Sequence, residues 1–259
     1  LKQGKAAIFA DTGLGKTFIQ LEWANEIQKY TQQKILIVAP LCVSQQTIEE
    51  AKKLNIQSVI YVRETPKALT GIFITNYEML DHIDLTQFSG IVLDESSILK
   101  NQSGKIRTKI IEKSRVVPYR LSCTATPSPN DYMELASQCE FLGVMDSNEM
   151  LAMFFTNDSG ETSKWRLKGH AESTFWEWMS TWAVFIKKPS DLGFSDENYD
   201  LPKLNIINIT VETDLKKEDF ITKDSMSLSD RSRARKATLT PRVERAIQLV
   251  NESTEPFLV

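Results

Sequence analysis

Short runs of Ile, Val and Leu recur through the first 130 residues, separated by stretches whose apolar positions repeat with a helical period. The runs Ala6–Ala10, Lys34–Ala39, Gln57–Val62, Gly71–Thr75, Gly90–Asp94 and Tyr119–Thr124 are strand-sized. Most lack a clean alternation of apolar and polar residues, the pattern of strands buried on both faces. Between them Lys16–Lys29, Val43–Leu54, a short stretch at Tyr77–Leu80 and Lys105–Ser114 read as helices, and Asp131–Phe141 continues the series. Alternating strands and helices predict an α/β fold, a parallel sheet flanked by helices.

The pattern changes after Gly143. Four of the five tryptophans (Trp165, Trp176, Trp178, Trp182) fall before Phe194, together with Met150, Met153, Phe154 and Phe155. Phe175, Met179, Trp182, Ala183 and Ile186 lie at helical spacing and predict a Trp-rich helix packed against another helix. Interleaving of the aromatics with Arg166, Lys168 and His170 also admits stacking on bases. Farther on, Asn205–Val211 alternates as a strand, Asp224–Ala237 is polar, Pro241–Val250 reads as a helix, and Glu255–Val259 resembles the start of another strand. The expected divisions are therefore 1–142, a Trp-rich helical protrusion at 143–203, a returning strand at 204–213, and a connector with the start of a further lobe at 214–259.

Composition narrows the class. Hydrophobic residues make up 41% and charged residues 25%, the mix of a globular protein with a sizeable core. No apolar run approaches the roughly 18 residues of a membrane-spanning helix, and no signal-peptide pattern opens the chain. The opening, a few residues ahead of a strand, reads as a truncated edge. Cys42, Cys123 and Cys139 form no CxxC pair and are accompanied only by His82 and His170, which excludes a zinc site of usual spacing and suits a reducing cytosol. The net charge of −3 does not mark a nucleic-acid binder. Local runs do break that balance. Lys100, Lys105, Arg107, Lys109, Lys113, Arg115 and Arg120 face one acid, Glu112, and a second basic run spans Arg231 to Arg245. Each is either a solvated face or a track for a phosphate backbone.

Chemistry concentrates in three segments. AAIFADTGLGKT (6–17) is a strand running into a glycine-containing loop and then a helix. The backbone N–H groups of Asp11, Thr12, Gly13, Leu14 and Gly15, with the helix N-terminus, form a cradle for polyphosphate. Lys16 is placed to contact β- and γ-phosphates and Thr17 to help hold Mg²⁺, so ATP with Mg²⁺ is the expected ligand. Ala10 stands where the G-x-x-x-x-G-K-[ST] pattern has its first glycine.

GIVLDESS (90–97) is a buried strand ending in two carboxylates, delivered to the sheet edge where the phosphate loop also lies. There Asp94 would orient Mg²⁺ and Glu95 would polarise the attacking water. In LSCTATPSPN (121–130), the small residues Thr124, Ala125 and Thr126 at a strand end are either a turn or a sensor that couples the γ-phosphate to bound nucleic acid.

In this order, the three segments resemble motifs I, II and III of superfamily-two helicases, and the finer resemblance is to the Swi/Snf-type branch. VAPLCVSQQTIEEAKKL (38–54) resembles motif Ia, ITNYEML (74–80) the ITxYEML segment, and VLDESSILKN (92–101) the DEAH-x-x-KN motif with Ser96 and Ser97 in place of Ala-His. SCTATPSPND (122–131) resembles TGTP-x-x-N with Ala125 in place of Gly, and WAVFIKKPSDLGF followed by LPKL (182–204) resembles the segment after the family's helical protrusion. The protrusion itself departs most and is similar to that of phage-encoded relatives.

The resemblance implies a RecA-like lobe at 1–142, a truncated start of a second RecA-like lobe within 214–259, and nucleic-acid contacts at Pro40, Leu41, Thr75, Asn76 and Lys100. It further implies ATP-driven translocation on double-stranded DNA, in the cytoplasm of a bacterial or phage-infected cell, alongside other DNA-processing proteins. Adenine recognition upstream and arginine fingers on the second lobe would lie outside this chain, so the chain alone is expected to bind nucleotide weakly and hydrolyse it negligibly. A strand-separating helicase, a restriction-system motor subunit and a non-motor ATP-binding switch or scaffold are the alternatives.

Overall fold

The computed structural model describes residues 4–56, 59–100, 104–128, 130–157, 165–197, 199, 205–211 and 228–254. The first half follows the expected alternation. Lys5–Ala10 is β1, Lys16–Thr31 α1, Lys34–Ala39 β2, Leu41–Lys53 α2, Val59–Tyr61 β3 and Gly71–Asn76 β4. Phe88–Asp94 is β5, Lys105–Ser114 α3, Tyr119–Thr124 β6 and Leu135–Leu142 α4. Tyr77–His82 forms a 3-10 turn where a short helix was expected. In the expected strand Gln57–Val62, residues 57 and 58 lie outside the described residues and pairing stops at Tyr61.

Seven parallel strands form the sheet in the order β3-β4-β2-β5-β6-β1, with one more strand beyond β1. Burial on both faces explains the absence of alternation in the sequence. Ile35, Ile37, Ile74, Val92 and Leu121 point into one core cluster, while Leu36, Val38, Phe73, Ile91 and Leu93 point into the other. Each such side chain contributes about 1.5–3 kcal/mol on burial. Parallel register then sets the functional edge. Phe9 lies opposite Thr124, and Asp94 lies opposite Cys123, so the carboxyl ends of β1, β5 and β6 finish side by side.

The Trp-rich region departs from expectation. Residues 143–200 belong to the same compact unit as the preceding lobe and are not set apart as a protrusion. Ser147–Phe154 is α5, Phe155–Asn157 (β7) and Trp165–Leu167 (β8) form an antiparallel pair, and Glu172–Ser180 is α6. The helix stops at Ser180, and Ala183–Ile186 becomes β9, which pairs in parallel with β1 and closes that edge of the sheet. A four-residue apolar run fits helix and strand equally well by period alone, and the open ladder of β1 decides it. Met150, Phe154, Phe175, Met179 and Trp182 bury in the same cluster as Phe9, with the Phe9 and Trp182 rings edge-on at 6.5 Å. Those side chains are core and are not available to bases.

Residues 201–259 form a second compact unit. The expected strand Asn205–Val211 carries no regular secondary structure, and no strand among the described residues of that unit offers it a ladder. Leu228–Ala237, within the polar stretch, is α7, and Leu239–Glu252, covering the expected helix Pro241–Val250, is α8. The Arg242 guanidinium donates to the Arg235 carbonyl at 2.6 Å, satisfying one of the exposed carbonyls at the end of α7. The strand expected at Glu255–Val259 lies outside the described residues.

Candidate functional site

Five residues, Asp11 to Gly15, join β1 to α1. Gly13 and Gly15 take φ of 83° and 74°, a left-handed backbone that side chains disfavour. Asp11 pins the start of the loop: its N–H donates to the Ile186 carbonyl at 2.8 Å, and its Oδ1 accepts from the Thr12 N–H at 2.7 Å. α1 has no side-chain N-cap, so the loop and the first helical turn present N–H groups to an anion. Lys16 Nζ folds over the loop and donates to the carbonyls of Ala10 at 2.9 Å and Asp11 at 3.1 Å. Thr17 is half-buried beside it.

Asp94 ends β5 and is buried, while Glu95, the next residue, is exposed. Burial pushes the Asp94 carboxyl above the usual carboxylate range, and the neighbouring Glu95 charge adds to this. The Gln20 hydrogen bond, the Glu95 N–H and the Lys16 charge pull the other way. Tyr77 donates its hydroxyl to the Asp94 carbonyl at 2.6 Å and so fixes the strand end. Glu95 takes φ of +52°, a conformation costing a non-glycine residue about 1–2 kcal/mol. Strain of this kind persists where surrounding contacts impose it, and catalytic turns are a common place for it.

β6 supplies the third part. Thr124 is fully buried; its hydroxyl donates to Glu95 Oε2 at 3.4 Å and accepts from the Thr126 N–H at 3.1 Å. Ala125 is half-buried and Thr126 exposed. Behind them, Ser122 bonds to both Ser96 and Gln138, and Gln138 Nε2 donates to the Ser96 carbonyl at 2.9 Å. Serine at position 96, where the resembled motif has alanine, makes this bridge between the carboxylate turn and β6 possible. Sequence reasoning missed Gln20, Tyr77 and Gln138. The available signal was an amide set in an otherwise apolar helical face, as in LASQCEFL.

Among the nucleic-acid candidates, Leu41 and Lys100 are exposed and Pro40 is half-buried. Thr75 and Asn76 are both buried, Thr75 donating to the Val62 carbonyl at 2.8 Å and Asn76 accepting from the Tyr61 hydroxyl at 3.4 Å. The basic run from Lys100 to Arg120 is partly neutralised. Lys109 and Lys113 pair with Asp81, Arg107 pairs with Glu140, and buried Arg120 donates to the Phe141 carbonyl at 2.6 Å.

Among the described residues no group of three or more His, Cys, Asp or Glu could hold a metal unaided. A single buried carboxylate beside a phosphate cradle fits Mg²⁺, which takes few protein oxygens and completes its shell with phosphates and water.

No curated protein matches the sequence. Among solved structures, the Sulfolobus solfataricus SWI2/SNF2 ATPase core in complex with dsDNA matches with a TM-score of 0.59 at 22% identity, over 74% of this chain and 42% of that one. That likeness agrees with a RecA-like α/β fold. The Pyrococcus furiosus Hef helicase domain has a TM-score of 0.44 at 20% identity, over 55% of this chain and 34% of that one. The UvsW helicase from bacteriophage T4 has a TM-score of 0.43 at 14% identity, over 53% and 52%. The chain thus spans less than two thirds of each structure it resembles. A family model for the SNF2-related domain matches residues 2–165, well over half of the chain, and the protein belongs to that family.

Proposed function

We propose that this chain is the ATP-binding lobe of a nucleic-acid-dependent motor ATPase that translocates on double-stranded DNA. The observation that carries the reading is the convergence of Lys16, Asp94, Glu95 and Thr124 on one edge of the sheet, produced by the register of β1, β5 and β6.

In this reading the N–H groups of the 12–15 turn and the Lys16 ammonium bind the β- and γ-phosphates, the Thr12 N–H exchanging Asp11 Oδ1 and Lys16 its two loop carbonyls for phosphate oxygens, while the Asp11 N–H stays on the Ile186 carbonyl and anchors the loop. Thr17 and Asp94 would hold Mg²⁺, which supplies charge neutralisation at the phosphates when bound. Glu95 is exposed at the end of β5, within reach of a water that would attack the γ-phosphate, and would take its proton. Thr124, bonded to Glu95, and Thr126, bonded to Thr124, carry the loss of the γ-phosphate into the 124–126 turn.

Nucleic acid is assigned to Pro40 and Leu41, which follow β2 on the same carboxyl edge of the sheet, and to Lys100 beyond β5. Duplex DNA is favoured because the Sulfolobus ATPase core is described in complex with dsDNA. Full turnover needs charge-stabilising groups from a second lobe, worth about 10³–10⁵ in comparable phosphoryl transfer, so the chain alone binds nucleotide weakly and turns it over negligibly. No helix among the described residues is long and apolar enough to cross a membrane, and we place the protein in the cytoplasm of a bacterial or phage-infected cell, working with other DNA-processing proteins.

The test is ATP hydrolysis by this chain joined to a second RecA-like lobe, with duplex DNA, single-stranded DNA or RNA added, and Glu95→Gln as control. Stimulation by duplex DNA that the substitution abolishes supports the translocase. Stimulation by RNA or single strands alone replaces it with a strand-separating helicase, and ATP binding without turnover replaces it with a switch.

A further inference from the structure

Gln20 lies one helical turn beyond Lys16, so both residues sit on the face of α1 that meets the strand ends. It is fully buried, and its Nε2 donates to Asp94 Oδ1 at 2.6 Å, a short bond to an acceptor that carries charge when ionised. The Glu95 N–H donates to the same oxygen at 3.1 Å. Among the described residues both donors to this carboxylate therefore address Oδ1, leaving Oδ2 as the oxygen without a protein donor.

The amide is held at a cost. Gln20 Oε1 is buried without a hydrogen-bond partner, an arrangement that an apolar side chain of the same length would avoid. An ionised carboxylate accepts only, so the amide must turn Nε2 toward Asp94 and cannot rotate to satisfy Oε1 without setting two acceptors against each other. Leu21, Ala24 and Ile27 on the same helix are packed as apolar core, and a methionine at position 20 would join them. What the amide provides in exchange is a fixed rotamer for Asp94.

We propose that Gln20 is the positioning residue for the metal-orienting carboxylate, holding Asp94 by Oδ1 so that Oδ2 faces the Mg²⁺ that accompanies ATP. This rests on the ATP–Mg²⁺ reading of the site. Gln20 touches neither nucleotide nor metal in this scheme; it acts through Asp94. Groups standing behind a metal's ligands in this way typically alter metal affinity by about 10–100-fold.

The experiment uses the 259-residue chain, a fluorescent ATP analogue, and titrations with MgCl₂ or with EDTA. Wild type should bind the analogue more tightly with Mg²⁺. Gln20→Met should lose about tenfold of that Mg²⁺-dependent gain while binding in EDTA and the melting temperature stay within error of wild type. On an Asp94→Asn background, Gln20→Met should change the Mg²⁺ gain no further, because the two act as one unit. An unchanged Mg²⁺ gain in Gln20→Met overturns the proposal. So does an equal loss with and without metal, or a loss that adds to that of Asp94→Asn. Wild type that binds the analogue equally with Mg²⁺ and EDTA overturns the metal reading of the site itself, and the role of Gln20 with it.

Discussion

The Thr124 hydroxyl sits 3.4 Å from Glu95 Oε2, a bond between strand ends 29 residues apart in sequence. It ties the exposed Glu95 carboxylate to the turn that follows β6. Thr124→Val keeps the shape and removes the donor. In the two-lobed protein it should slow turnover about tenfold or more with ATP affinity unchanged, measured as kcat against KM. A rise in KM with constant kcat would assign Thr124 to binding instead.

Glu95 holds a backbone conformation that glycine adopts freely. Glu95→Gly should therefore stabilise the chain by about 1 kcal/mol in urea denaturation while abolishing turnover in the two-lobed protein. A loss of stability would mean that the Glu95 side chain holds the fold together.

Asp94 gives a pH signature. Its carboxyl is raised above its ordinary 3.8, chiefly by burial, so the folded chain holds that proton more tightly than the unfolded chain. Stability from this group is greatest in acid, falls as pH climbs from 3.8 through the raised folded value, and is constant above it. Asp94→Asn removes the dependence. The variant should melt higher than wild type at neutral pH, and the gap should close as pH falls toward 3.8. A gap that widens in acid would reverse the assignment.

Phe175 is fully buried and touches the rings of Phe154 and Phe155. Phe175→Ala should cost about 3–5 kcal/mol, read as a lower midpoint for one cooperative transition of residues 1–200. A separate early transition confined to the Trp-rich region would restore the independent protrusion that the packing argues against.

Much of the site was legible because its signals are local. The loop from Asp11 to Thr17 is contiguous, and β5 announces itself as an apolar run ending in Asp94 and Glu95. β2 was legible because all six of its residues are buried and its composition says so. Long-range contacts were not legible. Gln20 reaches Asp94 across 74 residues and Gln138 reaches Ser96 across 42, and an amide among apolar helical residues does not name its distant partner. β9 was misread because Ala183–Ile186 is too short for its period to discriminate, and its strand state comes from the free edge of β1. Nor was the bond of the Thr75 hydroxyl to the Val62 carbonyl legible, since 13 residues separate the two.

The most direct test of the central claim is equilibrium binding of a fluorescent ATP analogue to the 259-residue chain and to Lys16→Ala. Lys16 contributes a charge to the phosphates and little to the core, so the variant should fold like wild type and bind at least about tenfold more weakly, the loss of one charge-assisted contact. Equal binding by the two proteins, or binding by neither, would contradict a nucleotide site on this loop.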